Sequence, residues 1–451
     1  MTAMRTSTLC RIAALGILVL LRASDADADL QSALVPRSLR GGGVLESAIG
    51  PLGRVVAAQV ATQIPSFATS AGFTYTYDPS LEVFRREATT LGPVFAERAL
   101  TVGRGRFNIQ SSYTYLKFQR FNGHDLDHLV NRFEYAKPAD SDLNEFYGLE
   151  VSGGGASRDV KVVLDLDVEA QLFDFSFTYG LLEHLDLNVD VPVLRTFVRS
   201  TVKGTSTDPR CVTAGNGDPN SAGLKCLDDF EEDGETFSSA TLGEARESAL
   251  GIGDIRFRAK YNPLRDPIAL SGLLDLVVPT GDQGDFQGTG DTRLGTLLIA
   301  SHEWRNLLEL HVLGGVEWAF NDFDHSQGRY VAGGTVQVGR WAALTADLIG
   351  RSEFVRRTRI SNSGRLPATH DGQFEQTFDE LFNDPPKDGF TGRPYFIDVK
   401  RNDVIDLSLG VKIPLGPQGL LFANVVVPLN SDGIRADFVP TAGFEFNFGT
   451  P

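Results

Sequence analysis

The chain has 451 residues, with 42 Lys and Arg against 58 Asp and Glu, for a formal net charge of −16. That acidic surplus excludes a nucleic-acid binder, which needs a basic face. Beyond the extreme N-terminus, no run reaches the ~18 apolar residues of a membrane helix. A transmembrane β-barrel stays open, because its lipid-facing and lumen-facing residues cancel in any window average.

At the N-terminus, Arg5 and Arg11 precede the apolar run 12–21, and Ala26-Asp27-Ala28 offers a small-x-small cleavage site. Residues 1–28 therefore read as a secretory signal peptide. Cys10 would leave with it, so the mature chain keeps Cys211 and Cys226, both in one polar segment. An even pair in an exported protein points to one disulfide. Neither cysteine has the neighbours of a metal ligand or a nucleophile, and no cofactor motif is present.

Residues 29–103 differ from the remainder. The stretch 45–64 is rich in Ala, Val and Gly and reads as short helices broken near Gly50-Pro51. Asp78-Pro79-Ser80 separates two short strand-like runs, a hairpin signal. The region reads as a partly helical periplasmic or plug-like segment.

From Arg104 apolar and polar residues alternate, the period of a strand with one greasy and one wet face. Phe107, Ile109, Tyr113 and Tyr115 oppose Asn108, Gln110, Ser112 and Thr114. Residues 160–179 form the next strand. Its apolar parity switches near Leu172-Phe173, which calls for a bulge or a change of lining. Further strands follow at 185–191, 254–261, 268–278, 294–302, 308–320, 330–338, 342–354, 405–413 and 420–429. The last, 434–448, carries Ile434, Ala436, Phe438, Ala442, Phe444, Phe446 and Phe448 on one parity. That makes twelve, or fourteen if the hairpin near Asp78 joins the wall.

The connections decide the architecture. Short turns fall near 180, 264, 305, 340 and 416. The alternate connections are mostly long, and both termini lie on the short-turn side. Short inner turns and longer outer loops define an outer-membrane barrel, whereas a soluble sandwich has no reason to segregate loop length by side. Tyr261, Trp304 and Trp341 flank short turns, and Trp318, Phe320 and Tyr330 lie toward the other end, as two interfacial belts require. The expected fold is all-β: a closed antiparallel transmembrane barrel over residues 104–448 in the outer membrane of a Gram-negative-type bacterium. Its partners would be outer-membrane lipid and lipopolysaccharide, the assembly machinery of that membrane and a small-molecule permeant.

The segments 250–261 (LGIGDIRFRAKY), 277–282 (VVPTGD) with 288–290 (GTG), and 179–192 (YGLLEHLDLNVDVP) carry a resemblance. They are similar to the bacterial outer-membrane barrels grouped under the meta-pathway of phenol degradation, over roughly residues 104–448. The resemblance implies an outer-membrane location and passage of small aromatic or hydrophobic compounds.

Function would live on the lumen face. Asp186, Asn188 and Asp190 point inward on one strand, and Arg256, Arg258 and Lys260 on the next. Glu309 and His311 share the same parity further on. Opposite charges on neighbouring strands can pair across the ladder. The set reads either as a charged constriction selecting permeants or as ion pairs filling a narrow barrel. Pro192, Pro279 and Pro428 end strands that run away from the short-turn side. Each removes a ladder donor, so any of them could mark a lateral window. The loop 279–291 holds Asp282, Asp285 and Asp291 without the EF-hand spacing, so no metal site is assigned. His325-Ser326 and Ser361-Asn362-Ser363 only faintly resemble the His/Ser motif of a barrel phospholipase. Adjacent His and Ser on a strand would face opposite ways, so no catalytic residue is assigned. The expected activity is passive or gated passage of small hydrophobic or aromatic molecules. The alternatives are a non-transporting barrel that binds partners through its long outer loops and, remotely, a lipid hydrolase.

Overall fold

The computed structural model describes residues 30–34, 60, 62–63, 68–69, 75–78, 83–86, 90–121, 123–135, 158–206, 211–213, 224–226, 238–305, 307–321, 323–354, 357–361, 375–377, 396–400, 403–416 and 418–449. The signal peptide expected at 1–28 lies outside them. Twelve strands make the wall: β1 (Arg106–Phe121), β2 (Arg158–Leu182), β3 (Leu185–Ser206), β4 (Ile255–Leu264), β5 (Ala269–Val278) and β6 (Arg293–Trp304). They continue with β7 (Leu308–Ala319), β8 (Gln327–Val338), β9 (Ala342–Glu353), β10 (Asp403–Leu415), β11 (Gly419–Pro428) and β12 (Val439–Gly449). Each pairs antiparallel with its sequence neighbours, and β12 returns to β1 through Thr441↔Thr114 to Gly449↔Arg106, closing the ring. Closure leaves no unpaired edge across the membrane, where hydrocarbon could not satisfy it.

The alternation sets which face each residue takes. Phe444, Phe446 and Phe448 are 42, 47 and 40% exposed, whereas Glu445 and Asn447 between them are buried. Leu310, Val312 and Trp318 face out from β7 while Glu309, His311 and Glu317 face in. Tyr261, Trp304 and Trp341 stand exposed beside the short turns, and Trp318, Phe320 and Tyr330 beside the longer loops. An apolar outer band between two aromatic girdles is the surface of a membrane-spanning barrel.

The closing strand is not continuous. Ile434–Ala436 forms a separate short strand on β1, with an irregular register between Arg435 and Ala436. Ile434, Arg435 and Ala436 are all buried there and show no alternation, while Phe438 and residues 442–448 keep the expected outward parity. The hairpin Tyr75–Asp78/Val83–Arg86 pairs with itself rather than with the wall, so the wall keeps twelve strands. Two strands do flank the long β2–β3 hairpin: Leu129–Tyr135 on β2 and Ser238–Ile252 on β3. In the N-terminal segment, Leu30–Ala33 forms one turn of helix.

β2 and β3 run 25 and 22 residues, about twice the length of β4–β9. Beyond the rim they extend on the order of 40 Å. The ladder is regular from Val160↔Ser206 to Gly180↔Asp186, so Leu172-Phe173 marks a change of lining, not a bulge. Below it Asp174, Ser176 and Thr178 face in; above it Leu164, Leu166, Val168, Ala170 and Leu172 do. β1 and β3 switch at matching heights, from Asn108–Thr114 to Leu116 and Phe118, and from Asp186–Asp190 to Leu194 and Val198. The lumen is polar low in the barrel and mainly apolar in the outer extension, where Thr196 and Ser200 are the inward polar exceptions on β3.

Residues 90–103 occupy the lower lumen. They leave for β1 at a tight crossing, where Gly105 N donates to Gly180 O at 2.8 Å. A Cβ on Gly180 would lie 1.9 Å from the Gly103 carbonyl oxygen, so that position needs glycine.

Candidate functional site in the lumen

The internal segment is held by charge as well as by packing. Leu91, Val94 and Phe95 pack on the inward side chains Ala343, Leu420 and Phe422. Ala99 packs on Leu273, Leu297, Ile299 and Leu313. Between these patches Arg98, fully buried, donates through Nε to Glu309 Oε1 at 3.0 Å and pairs a second time with Oε2. Its Nη2 also donates to Thr90 Oγ1 at 2.9 Å, and Thr90 in turn bonds Glu309. Glu97 lies 3.6 Å from Arg258 and 3.5 Å from Lys260, and accepts both the backbone N–H and the hydroxyl of Thr69 at 2.8 Å. Lys412 Nζ donates to the Leu91 carbonyl at 3.2 Å and to that of Pro93. Burying these ions is costly, and only the pairing and the carbonyl acceptors offset it. The result is a plug that fits one seat.

The inward residues expected from sequence all lie on this inner surface. Asp190, Asn188 and Asp186 stand directly opposite Arg256, Arg258 and Lys260 in the ladder. They do not all pair across it. Arg258 Nε donates to Asn188 at 2.8 Å and its Nη2 lies 3.5 Å from Asp190. Asp186 accepts the backbone N–H of Val102 at 2.9 Å, and Lys260 donates to the Arg98 carbonyl at 3.1 Å. Arg256 turns to Asp275 on β5 at 3.2 Å. His311 bonds Asp347 at 2.7 Å. Asp186, Arg258, Lys260 and Glu309 thus seat the plug, whereas Arg256 belongs to a network above it.

That network climbs the wall from strand to strand. Asp275 also binds Arg329 at 2.9 Å, Glu317 binds Arg329 at 3.0 Å and Arg293 at 3.3 Å, and Arg293 lies 3.5 Å from Asp291. Asp291 accepts from His325 Nδ1 at 2.9 Å. Burial alone would raise the Asp291 carboxyl, but the His325 hydrogen bond and the charge of Arg293 hold it below the usual carboxylate value. A cavity of about 190 Å³ lies beside the network and is also lined by Leu116, Phe118, Ile349, Val404 and Val426, with Phe95 of the plug. Apolar and ionic side chains alternate around it: on β9 and β10 Ile349 stands opposite Asp406 and Val404 opposite Arg351.

Of the three prolines, Pro192 and Pro428 line this cavity. The wall stays closed at Pro192, because Gly253 N donates to the Pro192 carbonyl at 2.8 Å. At Pro279 the chain turns in, and Thr280 and Gly281 bond the Gly253–Asp254 corner. Beside Pro428 the ladder parts. β11 pairs with β12 only up to Val426↔Val439, while Ile434–Ala436 leaves to pair with β1. Arg435 bridges the parting through Asp406 at 2.8 Å and the Ile405 carbonyl at 3.0 Å.

The remaining candidates separate. Asp282 caps its own turn, Asp285 accepts from Leu30 N, and Asp291 serves His325, so the three carboxylates of the loop do not converge. His325 sits in a 3₁₀ turn rather than on a strand, and the hydroxyl of Ser326 accepts Ala319 N at 3.1 Å. Cys211 and Cys226 are direct ladder partners in a two-stranded pair. Alternation puts Glu317 on the inward face with Glu309 and His311, but Arg98, Glu97, Lys412, Asp275 and Arg329 do not stand out in the sequence. Inward parity on their strands could have found the wall residues. Nothing in an irregular segment marks Glu97 and Arg98.

The fold and site define a class: a twelve-stranded membrane-spanning barrel that holds residues 90–103 inside it and keeps a cavity of mixed apolar and ionic lining. No protein-family model matches the chain, and no curated protein matches it in sequence. Among solved structures it is similar to an outer membrane channel from Pseudomonas putida F1, at 12% identity and a TM-score of 0.38, over 78% of this chain and 98% of that one. The CymD monoaromatic hydrocarbon channel follows at 9% and 0.31, over 77% and 90%. A FadL homologue from Pseudomonas aeruginosa matches at 9% and 0.29, over 76% and 89%. The barrel itself rests on the closed ladder described above.

Proposed function

We propose that the chain is an outer-membrane channel of a Gram-negative-type bacterium for small hydrophobic or aromatic molecules, gated by its own N-terminal segment. The observation that carries this is a cavity inside the barrel, bordered by Phe95 of the internal segment, whose lining mixes apolar side chains with guanidiniums and carboxylates. An apolar body can lie on Phe95, Leu116 and Phe118 while a polar group reaches the guanidiniums opposite. A place beside phenol-degrading chemistry rests on the resemblance of the 250–261, 277–290 and 179–192 segments. We read the protein as a non-enzyme: His325 is turned to Asp291 and Ser326 to a backbone N–H, so no nucleophile–base bond joins them.

The purified full chain in liposomes, challenged with aromatic and polar solutes of matched size, tests this. Flux of one-ring solutes above that of sugars is expected. No flux of any solute would leave a surface-binding barrel as the reading.

The parting beside Pro428 is where a permeant could leave sideways into the bilayer. Replacing Pro428 by Val supplies an N–H to the wall. It is expected to lower uptake of an aromatic probe severalfold without changing the flux of polar solutes. Pro192→Ala, at a place already closed by the Gly253 hydrogen bond, is expected to change little. Unchanged uptake in Pro428→Val removes the lateral route.

A further inference from the structure

One corner of the cavity contains carboxyl groups that the wall does not satisfy. Asp174 faces in from β2 and is 3% exposed. Among the described residues neither of its carboxyl oxygens has a hydrogen-bond donor, and it joins no salt bridge. Its two ladder neighbours explain why. On β3 it stands opposite Pro192, which has neither an N–H nor a polar side chain. On β1 it stands opposite Ser112, whose buried hydroxyl also has no partner among the described residues. Asp190, one step along β3, lies within hydrogen-bond reach of Asp174, and its Oδ1 is likewise without a donor. The neighbouring cations, Arg258 and Arg256, do not hydrogen-bond Asp174: Arg258 bonds Asn188 and pairs with Asp190 and Glu97, and Arg256 pairs with Asp275.

Two carboxyl groups in contact repel unless a proton or a cation lies between them. Asp174, Asp190 and Pro192 all line the cavity, as do the apolar side chains of Leu116, Phe118 and Phe95. A buried carboxyl group with no hydrogen-bond donor, in a cavity that also offers apolar side chains and room for a one-ring molecule, is complementary to an organic cation.

We infer that the Asp174–Asp190 corner is a binding site for a protonated amine carried on a small aromatic or apolar body. The ammonium sits between the two carboxyl groups with Ser112 as a third acceptor, and the ring lies on Leu116 and Phe118. This rests on the channel reading and narrows its permeant class.

The test is direct titration of the folded full chain in detergent, by calorimetry, with benzylammonium, benzyl alcohol and benzoate. Benzylammonium is expected to bind about tenfold tighter than benzyl alcohol, the usual gain for a charge-assisted hydrogen bond, and benzoate not at all. Asp174→Asn keeps the shape and removes the charge, so it should erase the preference; Ser112→Ala should only reduce it. Equal binding of ammonium and alcohol to the unaltered protein overturns the inference without need of any variant. So does a preference that survives Asp174→Asn, or displacement of benzylammonium by sodium at equal concentration, which would make the corner an inorganic-ion site. Binding is read apart from flux: intact ammonium binding with no liposome flux would sink the channel reading and leave the site standing.

Discussion

Replacing Arg98 by Met is expected to release the plug and raise the conductance of the barrel in planar bilayers. Arg98 is fully buried and its guanidinium holds Glu309 twice, with Thr90 as a third member. Removing one partner of such a pair leaves a buried carboxylate uncompensated, typically at a cost of about 3–5 kcal/mol. The cost falls on the plug, because Glu309 can be rehydrated once residues 90–103 withdraw, whereas the barrel's own ladder is unaffected. Thermal unfolding of the wall should therefore shift little while open-channel current appears. The double replacement Arg98→Met with Glu309→Leu removes both charges and should restore closure in large part, since an apolar pair of similar volume replaces an ion pair with little loss. Unchanged current in Arg98→Met would mean that apolar packing of Leu91, Val94 and Phe95 alone seats the plug. Equal current in the single and double variants would mean that the charge left on Glu309 is not what expels it.

What could be read from sequence follows from which side chains repeat. Every wall strand carries a period of two, because one face meets hydrocarbon and the other does not, and that pattern survives without any knowledge of partners. The same parity placed Asp186, Arg258, Lys260 and Glu309 on the inner face. Their partners were not legible. Glu97 and Arg98 sit in an irregular segment with no period, and what pairs them to β4 and β7 is contact between residues 163 and 211 positions apart. The burial of Ile434–Ala436 was hidden for a different reason. A short separate strand with an irregular register breaks the pattern, and alternation alone cannot show where one strand becomes two. The parity switch at Leu172-Phe173 was visible, but its meaning needed the ladder. Only the unbroken register to Ser206 shows that the lining changes while the strand runs straight.

The second large effect separates two neighbouring leucines of β6. Leu298, near the strand's midpoint, is 74% exposed and faces outward between Gly272 and Gly314. Leu297 is 3% exposed and packs inward against Ala99 of the plug and Leu313. Leu298→Arg is expected to cost about 2–4 kcal/mol, the penalty for a cation at the lipid face near the midplane, and to lower the yield of folded barrel in thin-bilayer vesicles. Leu298→Ala leaves no cavity and loses only the transfer of about three carbons from water to hydrocarbon, at about 0.8 kcal/mol each, so it should cost less than the same truncation inside. Leu297→Ala removes a packed side chain from a closed interior and is expected to cost about 2–5 kcal/mol, with plug release as part of the signature. Guanidinium titration in vesicles measures all three. The order matters more than any single value: a truncation that hurts more at 297 than at 298, beside a charge that hurts at 298, requires lipid on one side of the strand and a packed plug on the other. If Leu298→Ala proved the more damaging truncation, the outer face of β6 would be buried against protein, and the wall would not be the boundary between membrane and lumen.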